Sequence, residues 1–154
     1  MTACDFDCPL CAQDGGVVLW RGPRLRVIEV EDADYPGFTR VVWNAHHAEM
    51  TDLSLSERDL MMRTVYIVEQ IQREVFHPDK VNLASLGNMV PHLHWHVIPR
   101  WRGDRHFPDA VWAAPRIVPG TEPPEWRARL DRVRAVLPQY REQLIRALSA
   151  TPTD

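Results

Sequence analysis

Three histidines, His92, His94 and His96, occupy alternate positions in the stretch PHLHWHVIPR. In an extended strand, side chains alternate between faces and residues i and i+2 lie roughly 6.6–6.8 Å apart. The three imidazoles therefore share one face, while Leu93, Trp95 and Val97 share the other and belong against a core. A solvated sheet surface has no need of imidazoles, since Thr, Lys or Glu serve there without pKa sensitivity. A neutral imidazole is both a metal ligand and a nucleophile, and spacing alone does not choose between these uses. Gathering all three rings on one ion is awkward, because the outer two start about 13 Å apart on a straight strand.

Just upstream, VNLASLGN supplies Asn82, Ser85, Gly87 and Asn88, small or amide groups at the mouth of the same pair of strands. Such groups suit an anion cradle: Gly87 lets a phosphate approach the backbone, and Asn88 donates through its amide without bringing a charge. A Gly-Asn pair between strands also serves as an ordinary turn. Near the N-terminus, Cys8-Pro9-Leu10-Cys11 forms a second constellation. A thioredoxin-type redox pair normally follows a strand and opens a helix within a βαβ unit, which the first seven residues do not supply. A zinc site needs four ligands, so histidines would have to complete it. Cys4 is a spare thiol without an assigned role. Three cysteines crowded into eleven residues do not resemble a secreted disulfide framework.

The elements that position these residues follow from periodicity. Val17 to Trp20, Leu25 to Glu31 and Phe38 to Trp43 are Val- and Ile-rich runs separated by Gly16, Gly22-Pro23 and Tyr35-Pro36-Gly37, which predicts three antiparallel strands joined by hairpins. Ser56, with Asp59 three residues on, starts a long helix whose apolar stripe is Met61, Val65, Val68, Ile71 and Val75, ended by His77-Pro78. Val81 to Leu86 and Leu93 to Ile98 add two strands, with the triad on the last. From Pro99 to Pro124 the chain is proline-rich and reads as an irregular loop over the body, with Trp112 a candidate contact for a base. Thr121 can cap a final helix over about 125–149, with Trp126, Leu130, Val133 and Leu137 facing the core and Pro138 kinking or splitting it. The order of elements favours an α+β layer arrangement with about five antiparallel strands.

At 154 residues, 45% hydrophobic and 25% charged, the chain suits one globular domain over 1–154, with a core in 1–100. A net charge of −3 gives no general attraction to nucleic acid or anionic lipid, so any phosphate recognition must be local. MTACDFDCPLC lacks the basic start and apolar stretch of a signal peptide, and no apolar run approaches the roughly 18 residues of a membrane span, so a cytoplasmic protein is expected.

His92-Leu93-His94-Trp95-His96-Val97-Ile98 resembles the signature of the histidine triad (HIT) family, in which three histidines alternate with apolar residues. The resemblance runs from Cys8 to about Arg100 and takes in CPLC, VVWNAHH, MTDLS and LGN; WRGDRHFPDAVW is similar to a bacterial diadenosine tetraphosphate hydrolase-like subgroup. It implies a HIT-like fold and a nucleotidyl hydrolase or transferase acting on the α-phosphate of a purine nucleotide conjugate, either a dinucleoside polyphosphate or a nucleoside phosphoramidate. By resemblance, His94 attacks phosphorus to form a nucleotidyl-histidine, and His96 bonds the α-phosphate or leaving-group oxygen. Asn82 meets the ribose-phosphate region, Gly87 and Asn88 meet phosphate, and Glu31 or Asp32 meets ribose hydroxyls. Asn88 stands where many members carry a longer Gln. Cys8, Cys11, His47 and His92 would hold one structural zinc ion, with His46 the alternative to His47, and no cofactor is needed for the chemistry. A homodimer is also implied. The rivals are a metal-dependent hydrolase or oxygenase using the triad as ligands, and a nucleotide-binding module without turnover. Arg100 either meets phosphate or pairs with Asp104.

Overall fold

Gly22 and Pro23 reverse the chain between β1 (Val17–Arg21) and β2 (Leu25–Glu29), with the Gly22 amide donating to the Leu25 carbonyl. The structure, a computed structural model, describes residues 7–152. Next come β3 (Thr39–Trp43), the helix α2 (Leu55–Phe76), β4 (Lys80–Ala84) and β5 (His94–Arg100), preceded by a single-turn helix α1 (Pro9–Ala12). All pairs in the sheet are antiparallel, in the order β1-β2-β3-β5-β4. This is the expected α+β architecture, with the triad strand flanked on both sides.

Register divides the sheet into two faces. Val27 stands opposite Val41 and Val41 opposite Trp95, so Leu25, Val27, Val41, Trp43, Leu93 and Val97 fall on one face. They pack on Met61, Val65, Val68, Ile71 and Val75, the apolar stripe of α2. The other face carries Arg26, Ile28, Arg40, Val42, His94, His96 and Asn82, because Arg40 stands opposite His96 and Asn82 opposite Ile98. Gly37 permits the close approach of α2 to the β2–β3 connection. Its φ is +82°, and a Cβ there would lie 2.3 Å from the Phe76 ring.

The cap of α2 lies two residues before the expected Ser56, at Ser54, and Glu57, not Asp59, closes the capping box by accepting from the Ser54 amide at 2.8 Å. Two Ser-x-x-acid patterns overlap here, and the longer Glu reaches back to the cap amide. The helix ends as expected at His77, which takes the left-handed conformation at φ +47° before Pro78. β5 starts at His94 rather than Leu93 and runs through Pro99 to Arg100. Pro99 is tolerated because β3 pairs with β5 only as far as Val97.

The expected single C-terminal helix is two: α3 (Pro124–Ala135) and α4 (Leu137–Ser149). Pro138 has no amide hydrogen and its ring conflicts with the carbonyl four residues back, so the chain breaks at Val136. Thr121 does not cap α3; its hydroxyl donates to the Val118 carbonyl, and Pro123 holds the cap position. α4 returns to the sheet, where the Tyr140 hydroxyl meets Thr39 Oγ1 at 2.6 Å and Arg141 pairs with Glu29 at 2.7 Å. The loop from Trp101 to Pro123 is pinned by buried Asp104, whose carboxylate accepts from Arg100, from the Tyr35 hydroxyl and from the amides of His106 and Phe107. Among the described residues, no helix is long and apolar enough to cross a membrane.

Candidate active site and metal centre

His94 and His96 project from β5 and are buried, as is His92 just ahead of the strand. Donors and acceptors fix their tautomers. His94 Nδ1 lies 2.6 Å from the His92 carbonyl oxygen, which can only accept, so Nδ1 carries the proton and Nε2 keeps its lone pair. Arg40 Nε donates to His96 Nδ1 at 3.3 Å, so the His96 proton sits on Nε2, 3.1 Å from His94 Nε2. The chain Arg40, His96, His94, His92 carbonyl is thus satisfied with every ring neutral. Burial pushes the His94 imidazole below its ordinary value, and the Arg40 charge adds to this. His96 is pushed down to about 3, first by burial, then by the neighbouring His94 and Arg40. At neutral pH His94 Nε2 carries no proton, and its lone pair accepts from the neutral His96 N–H beside it.

His92 turns the other way. Its Nε2 donates to the Trp43 carbonyl at 2.6 Å, leaving the Nδ1 lone pair aimed at Cys8 Sγ (3.4 Å) and Cys11 Sγ (3.5 Å). His46 Nδ1 lies 3.4 Å from Cys11 Sγ, and these four donors fall within 4.8 Å of one another. Tetrahedral Zn–S and Zn–N bonds imply ligand-to-ligand separations of about 3.3–3.8 Å, so the set fits one zinc-sized cation with two thiolates and two imidazoles. Among the described residues the cluster holds His46, the alternative ligand, and not the expected His47. Here the chain leaves β3, and the His47 carbonyl accepts from the Leu93 amide at 2.6 Å, joining the two segments through backbone while the neighbouring ring at 46 reaches the thiols. α1 brings the two cysteines to one side. Pro9 fits its first turn, and the amides of Cys11 and Ala12 both donate to the Cys8 carbonyl. Cys4 lies outside the described residues.

The expected phosphate and ribose contacts are more scattered. Asn82 is on the triad face, but its Oδ1 accepts from Arg100 Nη1 at 2.7 Å, which leaves its amide N–H groups as what it can offer a ligand. Arg100 itself is buried in a two-bond pair with Asp104, the structural alternative of its two expected roles. Ser85 donates to the His94 carbonyl, Gly87 turns the loop at φ +76°, and Asn88 is exposed beyond it. Asp32 is occupied in a turn, accepting from the amides of Asp34 and Tyr35, while Glu31 is exposed. Trp112 stands edge-on to His96 with ring centres 5.0 Å apart. It lines a cleft of about 480 Å³ along the β4 edge together with Asn82, Ala84, Lys80 and Glu69.

Two arginines not singled out in the sequence complete the site. Arg26 is buried and donates to the carbonyls of Leu10 and Asp14, holding the Cys-x-x-Cys turn in place. Arg40 holds His96. The signal that marks both is a lone Arg inside an otherwise apolar strand, LRVIE and TRVVW, on the face opposite the core.

The fold and site define a class: one antiparallel sheet backed by a long helix, with alternate histidines on its open face and a Cys/His cluster at one end. Residues 14–103 match the HIT domain, and the chain belongs to that family. Among solved structures it is similar to a histidine triad protein from Bradyrhizobium japonicum, at 29% identity and TM-score 0.61, covering 79% of this chain and 90% of that one. It is likewise similar to a histidine triad protein from Marinobacter aquaeolei VT8, at 28% identity and TM-score 0.62, covering 85% and 94%. A Zn-bound histidine triad family protein from Mycobacterium smegmatis shares the fold, at 22% identity and TM-score 0.55 over 87% and 95%. Among curated proteins, AP-4-A phosphorylase of Mycobacterium tuberculosis is 29% identical over 105 residues, which is 64% of this chain and 54% of the relative. The chain thus spans about half the length of the curated relatives it matches.

Proposed function

We propose that the protein is a nucleotidyl hydrolase or transferase acting on the α-phosphate of a purine nucleotide conjugate, with His94 as the nucleophile. The observation that carries this reading is the hydrogen-bond chain that leaves the His94 Nε2 lone pair free of a proton and backs its other nitrogen with the His92 carbonyl. In the first step Nε2 forms a P–N bond while the bond from phosphorus to the leaving atom breaks, the bonding pair departing with the leaving group. In the second, water adds to phosphorus, its proton passes to solvent, and the P–N bond breaks to restore the ring. His96, neutral at pH 7, donates a hydrogen bond to a phosphate or leaving-group oxygen without surrendering its proton. Asn82, Gly87 and Asn88 supply uncharged donors around the phosphate, with Asn88 the most exposed of the three. The curated relatives' name, AP-4-A phosphorylase, supports a nucleotide conjugate as substrate.

Cys8, Cys11, His46 and His92 would hold a zinc ion in a closed Cys2His2 set, where it supplies cross-linking of α1 to the sheet rather than an open coordination position. The rival in which the whole triad ligates one metal is disfavoured: His92 Nδ1 faces the thiols, and the Nδ1 atoms of His94 and His96 are taken by hydrogen bonds. A homodimer is part of the proposal, supported by the free outer edge of β4 and the exposed Tyr66 on α2.

Mixing the protein with diadenosine tetraphosphate or adenosine phosphoramidate, quenching in base to spare the P–N bond, and digesting for mass spectrometry should place an adenylyl mass on the peptide bearing His94. His94→Ala should remove both the adduct and about 10³-fold or more of the turnover while the melting temperature holds. Turnover that survives this substitution would refute the assignment, and tight nucleotide binding with no turnover in the native protein would favour the binding-module reading.

A further inference from the structure

Arg100 makes more bonds than pinning a loop requires. It is 1% exposed and Asp104 2%, and Arg100 Nε and Nη2 donate to the two Asp104 carboxylate oxygens at 2.7 and 3.0 Å. Nη2 also donates to the Asp109 carbonyl at 2.8 Å, and the Tyr35 and Phe107 rings lie 5.6 and 5.8 Å from the guanidinium carbon. These contacts fasten the loop after β5 and fix the plane of the guanidinium. Nη1 serves another purpose: it donates across to β4, to Asn82 Oδ1 at 2.7 Å. Asn82 is half-buried on the triad face, and its Nδ2 has no acceptor among the described residues.

That bond decides which end of the amide meets a ligand. An Asn side chain offers an acceptor at one end and two donors at the other, in nearly the same shape. A guanidinium can only donate, so turning Nδ2 toward it would set donor against donor beside a buried charge. The lost hydrogen bond biases the two orientations by about 10-fold or more. Oδ1 therefore stays on Arg100, and both N–H groups are left for an oxygen acceptor. The bond at Oδ1 also polarises the amide and strengthens Nδ2 as a donor. We propose that Arg100, held in plane by Asp104, is a positioning residue that acts through Asn82: it keeps the Asn82 amide donor-outward toward the substrate phosphate without touching the substrate itself. The inference rests on the nucleotidyl-transfer reading above and names the residue behind one of its phosphate donors.

Asn82→Asp separates this role from a structural one. One carboxylate oxygen keeps the bond to Arg100 Nη1, now with opposite charge, and the other stands where Nδ2 stood. The melting temperature should hold or rise, while kcat/KM on diadenosine tetraphosphate should fall at least about 10-fold below that of Asn82→Ala, because an anion then faces the phosphate. Asn82→Asp no worse than Asn82→Ala would overturn the orientation. Arg100→Lys keeps a charge for Asp104 and gives up the planar fork that reaches Asn82. Alone it should cost about as much as Asn82→Ala, about 10- to 100-fold in kcat/KM, as loss of one hydrogen bond to a charged group implies. In the Asn82→Ala background it should cost nothing further. Falls that multiply would leave Arg100 with the loop alone and overturn the proposal. Should Arg100→Lys fail to fold, the comparison of Asn82→Asp with Asn82→Ala decides. If the native protein turns over neither diadenosine tetraphosphate nor adenosine phosphoramidate, the nucleotidyl-transfer reading fails, and the same cycle on AMP dissociation constants judges Arg100; a native protein that does not bind AMP either overturns the positioning role as well.

Discussion

His96 should make the protein acid-sensitive by an amount that can be worked out. Buried in the triad, it titrates near 3 in the folded protein against about 6.5 for an unfolded chain, so between those values the unfolded state binds more protons. The stability its neutral ring contributes is complete above about pH 6.5 and is lost as pH falls from there toward 3. At pH 5 the folded ring is still almost wholly neutral, so the loss depends on the unfolded value alone and comes to about 2 kcal/mol relative to pH 7. The perturbation is His96→Gln, and the assay is urea unfolding of both proteins at pH 7 and pH 5. The native protein should lose about 2 kcal/mol more than the variant between the two pH values. Protonation of the Cys/His cluster cancels in this difference because both proteins carry it. Equal pH dependence would mean that His96 is hydrated or charged in the folded protein, and the neutral hydrogen-bond chain through Arg40 and His94 would fall with it.

His46→Ala and Cys8→Ser should each lower zinc content by elemental analysis and lower the melting temperature, while His47→Ala should retain the metal; retention by His46→Ala would refute the cluster as described. Arg100→Met leaves Asp104 buried without its partner and should cost about 3–5 kcal/mol in urea unfolding. The double variant Arg100→Met, Asp104→Leu should recover part of that loss, and a double variant no better than the single one would show that the pair is not the source.

What the sequence made legible was whatever a fixed period dictates. Alternation put the triad on one face, a helical stripe put Met61 to Val75 on the core, and Cys-x-x-Cys spacing put two thiols on one turn. What it left open depends on partners distant in the chain. The choice of His46 over His47 turns on how the chain leaves β3, where a backbone bond to Leu93 joins residues 46 apart. Overlapping Ser-x-x-acid patterns hid the true cap of α2. Arg26 and Arg40 looked like ordinary strand residues, because a lone charge declares itself only when register sets it opposite a histidine or beneath a cysteine turn. Pro138 announced a kink or a split without choosing between them, and the structure takes the split, with α3 and α4 as separate helices.

His92 belongs to two assemblies at once, through different atoms. Its ring faces the thiols, while its carbonyl oxygen holds the ring of His94. Substituting the side chain strips away the first duty but leaves the second, since every amino acid brings the same carbonyl. A defect measured at position 92 therefore reports slackening passed along one peptide unit, and the sulfur end of the molecule acts as a clamp whose grip sets the aim of its neighbour.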